Sequence, residues 1–269
     1  MCRLFGYVSD RPTSVVELMG RDAFDAFTSL TAVHGDGWGM AWRGAGQKET
    51  RTTTSARSAA IDPRYSDLAD RPLGAAGIVH LRWATGGLPV AERNSHPFVD
   101  GAYAMAHNGN IAPLHRLESL LSADARSRLV GDTDSERYFR FVMQCITQQD
   151  DEEAGVGRAL EVLHRTFPEC SLNALLLTPT RLFAVHINSA AASPTHALHE
   201  IFTDDPSQLP AGHEFSYFEM SYRVESHAVC VISSGLTEEG WTVMSPDSIA
   251  VIDLATRTAT RLWSVTGAG

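Results

Sequence analysis

The chain has 269 residues, 43% of them apolar, and a formal net charge of −10 at pH 7. That apolar share suffices for a sizeable core, and the acidic balance argues against nucleic acid or an anionic membrane surface as the main partner. No apolar run approaches the ~20 residues of a membrane span, and the start, Met1-Cys2-Arg3-Leu4-Phe5-Gly6, lacks the basic-then-apolar pattern of a secretory leader. A soluble cytoplasmic protein is expected. The four cysteines, Cys2, Cys145, Cys170 and Cys230, are too dispersed for zinc-type spacing. They read as reduced thiols, three of them buried as small apolar side chains, and no metal or cofactor is indicated.

Short apolar runs predict strands at Leu4 to Val8, Gly39 to Arg43, Gly77 to Leu81 and Ala102 to Ala106. Later ones are Leu172 to Leu177, Leu182 to Ile187, Ala228 to Ile232, Ile249 to Leu254 and Thr258 to Val265. Thr178-Pro179-Thr180-Arg181 splits two of these as a hairpin would. Helical periodicity falls at Asp22 to Leu30, Leu114 to Leu121, Thr133 to Ile146 and Val156 to Phe167. Gly44 to Leu73 and Ser189 to Glu225 are polar and read as surface excursions. With no internal repeat and no clean linker, residues 1–269 are expected to form one α+β domain.

Removal of Met1 would leave Cys2 carrying both a thiol and a free α-amine. The thiolate is the nucleophile, and an α-amine titrating near ~7.7–8.0 can take the thiol proton, as it does for an N-terminal Thr. Four further segments bear polar chemistry. His34-Gly35-Asp36-Gly37-Trp38-Gly39 is a glycine-dense turn, either an ordinary tight turn or a close backbone approach to a ligand. In His80-Leu81-Arg82-Trp83-Ala84-Thr85-Gly86-Gly87, Arg82 leaves a strand where it could grip a carboxylate or simply lie on the surface. His107-Asn108-Gly109-Asn110 offers an Asn side-chain N–H and a Gly backbone N–H for an oxyanion, yet Asn-Gly is also a common hairpin turn. Gly131-Asp132-Thr133-Asp134-Ser135-Glu136 is a cap-rich helix start whose carboxylates could cap the helix or receive an ammonium group.

The order of these five motifs resembles that of the class II glutamine amidotransferases, members of the N-terminal-nucleophile hydrolase superfamily. The likeness is sharpest from Cys2 to about Glu136. It extends more loosely through Ser233-Ser234-Gly235-Leu236 to Trp241, as in stand-alone members such as the γ-glutamyl hydrolase of ergothioneine biosynthesis. The resemblance implies a four-layer αββα sandwich of two antiparallel sheets. It implies Cys2 as nucleophile with its α-amine as base, and Asn108 with Gly109 as oxyanion hole. Arg82, Trp83 and Thr85 would bind the glutamyl α-carboxylate side, Asp134 would take the α-ammonium, and Asp36 and Gly39 would shape the site. Gly86-Gly87 departs from the His-Gly of large synthase members. The implied activity is hydrolysis of a γ-glutamyl amide, glutamine or a conjugate, through a γ-glutamyl thioester. The alternative is a glutaminase subunit feeding ammonia to a separate synthase partner. The motifs and strands use the whole chain, so no synthase domain of its own is expected, and the sequence leaves the oligomeric state open.

Overall fold

The computed structural model describes residues 2–44, 47–84, 87–188, 190–205, 207, 209–210, 212–236 and 240–264, the last four by backbone alone. Strands β1 (Arg3–Thr13), β2 (Trp38–Arg43), β3 (Arg51–Ser55) and β4 (Gly74–Leu81) open a first sheet. Strands β5 (Phe98–Asp100), β6 (Tyr103–Asn108), β7 (Asn173–Leu177) and β8 (Arg181–His186) lie in a second. The chain returns to the first with β9 (Met220–Val224), β10 (Ala228–Ser233) and β11 (Thr242–Val243), then to the second with β12 (Ser248–Asp253) and β13 (Ala259–Ser264). The strand orders are β11-β9-β10-β1-β4-β2-β3 and β13-β12-β8-β7-β6-β5, and neighbours pair antiparallel.

The helices are α1 (Val15–Met19), α2 (Arg21–Ser29), α3 (Pro63–Ala69), α4 (Leu114–Leu120), α5 (Ala123–Ser127), α6 (Asp134–Thr147), α7 (Glu152–Thr166) and α8 (Thr195–Ile201). The period-two alternation of each strand explains the layering. Phe5 and Tyr7 of β1 face Leu18, Phe24 and Phe27 of α1 and α2, whereas Leu4 and Val8 face Leu175, Leu177 and Leu182 of the other sheet. Leu176 and Phe183 turn outward onto Phe139, Val142 and Leu160 of α6 and α7. Three apolar layers thus separate helices, sheet, sheet and helices, which is the expected αββα sandwich. Each fully buried Leu in them contributes about 1.5–3 kcal/mol.

The start of α6 follows from sequence. Thr133 accepts the Glu136 N–H at 3.1 Å, and the Glu136 carboxylate reaches back to the N–H groups of Val130 and Gly131 at 2.9 and 2.7 Å. This is a capping box displaced by one turn of chain, and it fixes Asp134 as the first helical residue. The hairpin at Thr178–Arg181 forms as expected, with Leu177 opposite Leu182.

Two expectations need correction. Gly44 to Leu73 contains β3 and α3, with Tyr65 and Ala69 buried; β3 is an edge strand of threonines, so no apolar alternation marks it. Ser189 to Glu225 contains α8 and β9, and it buries Leu198, His213, Tyr217 and Met220. Three of the four cysteines are buried as expected, Cys2, Cys145 and Cys230, and Cys170 is half-buried. Val265 of the final predicted strand lies outside the described residues. Among the described residues no helix is long and apolar enough to cross a membrane.

Candidate active site

Strand direction collects the polar motifs at one edge of the sandwich. In the first sheet β1 and β2 begin where β4 ends, since Arg3 and Trp38 both pair with Leu81. In the second, β6 ends where β7 begins, with Asn108 opposite Asn173. Alternation then decides which side chains turn into the gap between the sheets. Cys2 shares the parity of Leu4, His80 and Arg82 that of Ile78, and Asn108 that of Ala104 and Ala106, all of which face inward. The site is therefore made by strand ends from opposite sheets.

The Cys2 N–H donates to Asn108 Oδ1 at 2.9 Å. Because a backbone N–H can only donate, this contact fixes the amide orientation and leaves Asn108 Nδ2 as the other group. Nδ2 is buried and has no partner among the described residues. An unpaired buried donor costs roughly 1–3 kcal/mol, so it marks a place kept for an acceptor. Asn108-Gly109 is not a hairpin turn; the chain runs on from it to α4. A Cβ on Gly109 would sit inside contact distance of the Ser171 carbonyl and the His107 ring, so only glycine fits beside Asn108.

Arg82 continues the β2–β4 ladder past its end. Its N–H donates to Gly37 O at 2.8 Å, and its carbonyl accepts from Asp36 N at 2.9 Å. The guanidinium donates to the carbonyls of Asp36 and Pro89, each at 3.3 Å, and meets no carboxylate among the described residues. Asp36 Oδ2 accepts the Ala84 N–H at 2.8 Å, fixing the loop after Arg82. Gly39 is required for closeness, since a Cβ there would strike the His96 carbonyl. Trp83 is half-buried, edge-on to His34 with centroids 6.0 Å apart and 6.5 Å from Tyr217. Thr85 lies outside the described residues.

Asp134 is largely buried, and its Oδ2 accepts the Ile111 N–H at 2.6 Å. Its Oδ1 has only the distant Ser135 hydroxyl at 3.4 Å. His107 clamps this region to the strands. Its Nε2–H donates to Ser171 O and its Nδ1 accepts from Ser135 Oγ, both at 2.9 Å.

The sequence quoted His80 and His34 without giving them a role, and it missed His96, His213, Arg3 and Tyr217. His80 Nε2 and His96 Nδ1 lie 2.9 Å apart. Burial, reinforced by the Arg82 charge, holds both imidazoles well below their ordinary pKa and hence neutral at pH 7. Arg3 is fully buried beside Cys2 with no carboxylate within ion-pair distance among the described residues. It stacks 4.1 Å over the Tyr217 ring. It donates to Tyr217 O at 2.9 Å, to Ser234 Oγ at 3.3 Å and to His34 Nε2 at 3.1 Å. As a guanidinium only donates, His34 Nε2 is an acceptor, and His213 supplies the proton of their 3.0 Å contact. On the other side Asn173 and Asn188 both donate to Phe218 O, at 2.5 and 2.7 Å. The period-two rule could have paired His80 with Arg82; His213 and Tyr217 come from a polar stretch without a pattern.

Burial also pushes up the thiol pKa of Cys145 and Cys170, and that of Cys230 to about 12, so these three stay protonated near neutrality.

Residues 1–262 match the family model "Glutamine amidotransferases class-II". The glutamine–fructose-6-phosphate aminotransferase of Mycolicibacterium smegmatis is 33% identical over 171 residues, which cover 61% of this chain and 26% of that one. The Brucella suis enzyme of the same name is 46% identical over 70 residues, 26% of this chain and 11% of that. The chain thus spans about a quarter of the length of the first of these curated relatives. Among solved structures, a glutamine aminotransferase class-II domain protein from Silicibacter pomeroyi superposes with a TM-score of 0.61 at 18% identity, over 97% of this chain and 98% of that one. The glutamine phosphoribosylpyrophosphate amidotransferase of B. subtilis gives 0.63 at 15%, over 97% and 49%; these likenesses speak to the fold. With that family match over nearly its whole length, the chain belongs to the class II glutamine amidotransferases.

Proposed function

We propose that residues 1–269 act as one catalytic unit that hydrolyses a γ-glutamyl amide through Cys2. The α-amine of processed Cys2 takes the thiol proton, and Sγ attacks the δ-carbon of the glutamyl amide. The oxyanion is held by Asn108 Nδ2 and the Gly109 N–H. Collapse breaks the C–N bond, the ammonium proton goes to the leaving amine, and a γ-glutamyl thioester remains. Water, deprotonated by the same amine, then releases glutamate and restores the thiol. Arg82, with Trp83 and Thr85, receives the α-carboxylate, and Asp134 Oδ1 the α-ammonium.

The observation that carries this reading is the Asn108 carboxamide. One end orients the Cys2 nitrogen at 2.9 Å and the other is a buried donor without a partner among the described residues. A single side chain thereby places the base and stabilises the charge that develops. The reading favours a stand-alone hydrolase, similar to the γ-glutamyl hydrolase of ergothioneine biosynthesis. A second reading, a glutaminase that passes ammonia to a synthase partner, is favoured by the relatives named as aminotransferases, of which this chain matches about a quarter.

Turnover of the isolated, Met1-processed protein on glutamine and on bulky γ-glutamyl amides tests both. Higher kcat/KM on a bulky amide supports the hydrolase, whereas slow glutamine turnover stimulated by a partner supports the subunit. Comparable cleavage of butyramide, which has neither α-substituent, would overturn glutamyl recognition altogether.

A further inference from the structure

We propose that Cys2, His80 and His96 form a reversible site for a thiophilic divalent metal, zinc above all, that caps the nucleophile and shuts the enzyme off. The Cys2 sulfur and one ring nitrogen of each histidine lie within 4.8 Å of one another, and all three side chains are buried. Tetrahedral zinc holds Cys sulfur at ~2.3 Å and His nitrogen at ~2.0–2.1 Å, which sets neighbouring donors roughly 3.3–3.7 Å apart. The three residues come from different segments, so no sequence spacing announces them.

Two of the donors already converge. His80 Nε2 and His96 Nδ1 share a hydrogen bond at 2.9 Å, so the two ligand nitrogens already lie side by side. A metal ion takes the place of the shared proton, which moves to His80 Nδ1 so that both rings stay neutral with a proton on the far nitrogen, and the N–N distance opens by a few tenths of an ångström. The Cys2 thiol loses its proton to solvent, so one proton is released per ion bound. His80 Nδ1 is buried and has no partner among the described residues, so its lone pair is open to receive that proton. The α-amine of processed Cys2 can complete the coordination as a five-membered chelate, the geometry that free cysteine offers to zinc. Arg82, whose charge reaches both rings, opposes a dication, which weakens binding and favours reversibility.

The capping role rests on Cys2 being the nucleophile, but metal binding does not, and the experiment separates them. Untagged protein is titrated with Co²⁺ and then Zn²⁺, following thiolate-to-cobalt charge-transfer absorption and zinc affinity. Alkylation of Cys2 by iodoacetamide and glutamine turnover are measured on the same samples. The expected result is one Co²⁺ per chain, displaced by Zn²⁺, at least tenfold slower Cys2 alkylation, and inhibition reversed by chelator. Losing a direct ligand should cost no less than the roughly 10–100-fold that losing an outer partner costs. Cys2→Ser, a near-isosteric change with both rings in place, should therefore remove the charge-transfer band and weaken Zn²⁺ by that factor. His96→Gln should weaken it similarly, and Cys170→Ser should change nothing. Unaltered affinity in Cys2→Ser, or a band that survives there and vanishes in Cys170→Ser, overturns the proposal. Metal binding with no turnover of glutamine or of any γ-glutamyl amide would leave the site standing and remove the proposed function; turnover with no metal binding does the reverse.

Discussion

Two buried polar centres in this molecule are built on opposite principles. Asp62, behind the first sheet, is fully engaged. Its Oδ2 accepts from Trp38 Nε1 at 3.2 Å and from Ser55 Oγ and Arg64 Nη2 at 2.8 Å each, and its Oδ1 accepts from Arg64 N and Nε at 3.2 Å. The edge that gathers Cys2, Arg82 and Asn108 is equally buried, yet among the described residues it leaves Asn108 Nδ2, His80 Nδ1 and Arg3 Nη2 without partners. Native folds satisfy nearly all buried polar groups. Set against a carboxylate with both oxygens engaged, these exceptions at the strand ends contrast a polar group that holds the fold together with polar groups still open to a further partner.

The comparison can be broken at either centre. The largest effect is expected from Cys2→Ala, which should bring turnover to background while the melting temperature stays close to wild type. Mass spectrometry should find active preparations without Met1, since an acylated Cys2 nitrogen cannot act as base; full activity with Met1 attached would exclude the terminal-amine mechanism. Next, Asn108→Ala should lower kcat by about 10²–10³-fold, the usual cost of one oxyanion donor, with KM little changed. A raised KM at constant kcat would mean that Asn108 only positions substrate.

Asp62→Ala should act on stability instead. It strands Trp38 Nε1 and Ser55 Oγ, at roughly 1–3 kcal/mol each, while the half-exposed Arg64 finds water. The expected loss is about 2–4 kcal/mol in a denaturant titration, with kcat of the folded fraction unchanged. The Arg64 hydrogen bond, above all, holds the Asp62 carboxyl well below the usual range. A depressed folded-state pKa contributes stability that is present above the unfolded value of ~3.9 and lost as pH falls below it. Asp62→Asn should therefore flatten the acid arm of the stability curve below about pH 4 and leave the shape above it alone. The smallest effect belongs to an exposed pair. Glu161→Gln, which touches Arg158 and Arg165 at 3.3 and 3.5 Å on the surface of α7, should change stability by less than about 0.5 kcal/mol.

Much of this was legible in the chain. Alternating apolar residues located nine strands to within a few residues, and Thr133 to Glu136 spelled out the start of α6. The order of Cys2, Arg82, Asn108 and Asp134 pointed to the family. Composition could not show that Thr52 and Thr54 form an edge strand, because such a strand faces little apolar surface on either side. Nor could it reveal that His213 and Tyr217 are wholly buried against Arg3, because that packing joins residues some 200 positions apart. The His80–His96 pair was invisible for a different reason. His80 lies on β4 of the first sheet and His96 in the bend before β5 of the second, so their meeting follows from how the two sheets face each other.

Tyr217 and Phe218 place consecutive carbonyls on opposite sheets, one on Arg3 next to Cys2 and the other on Asn173 opposite Asn108. Planar peptide units are stiff, so this stretch of loop works like a calliper whose jaws are the start of β1 and the end of β6. The width of the cleft is thus gauged by residues belonging to neither strand. Substrate tolerance could be retuned by rewriting the connection between β8 and β9 while every chemically active side chain stays as it is. In this fold the bore and the blade are separate parts.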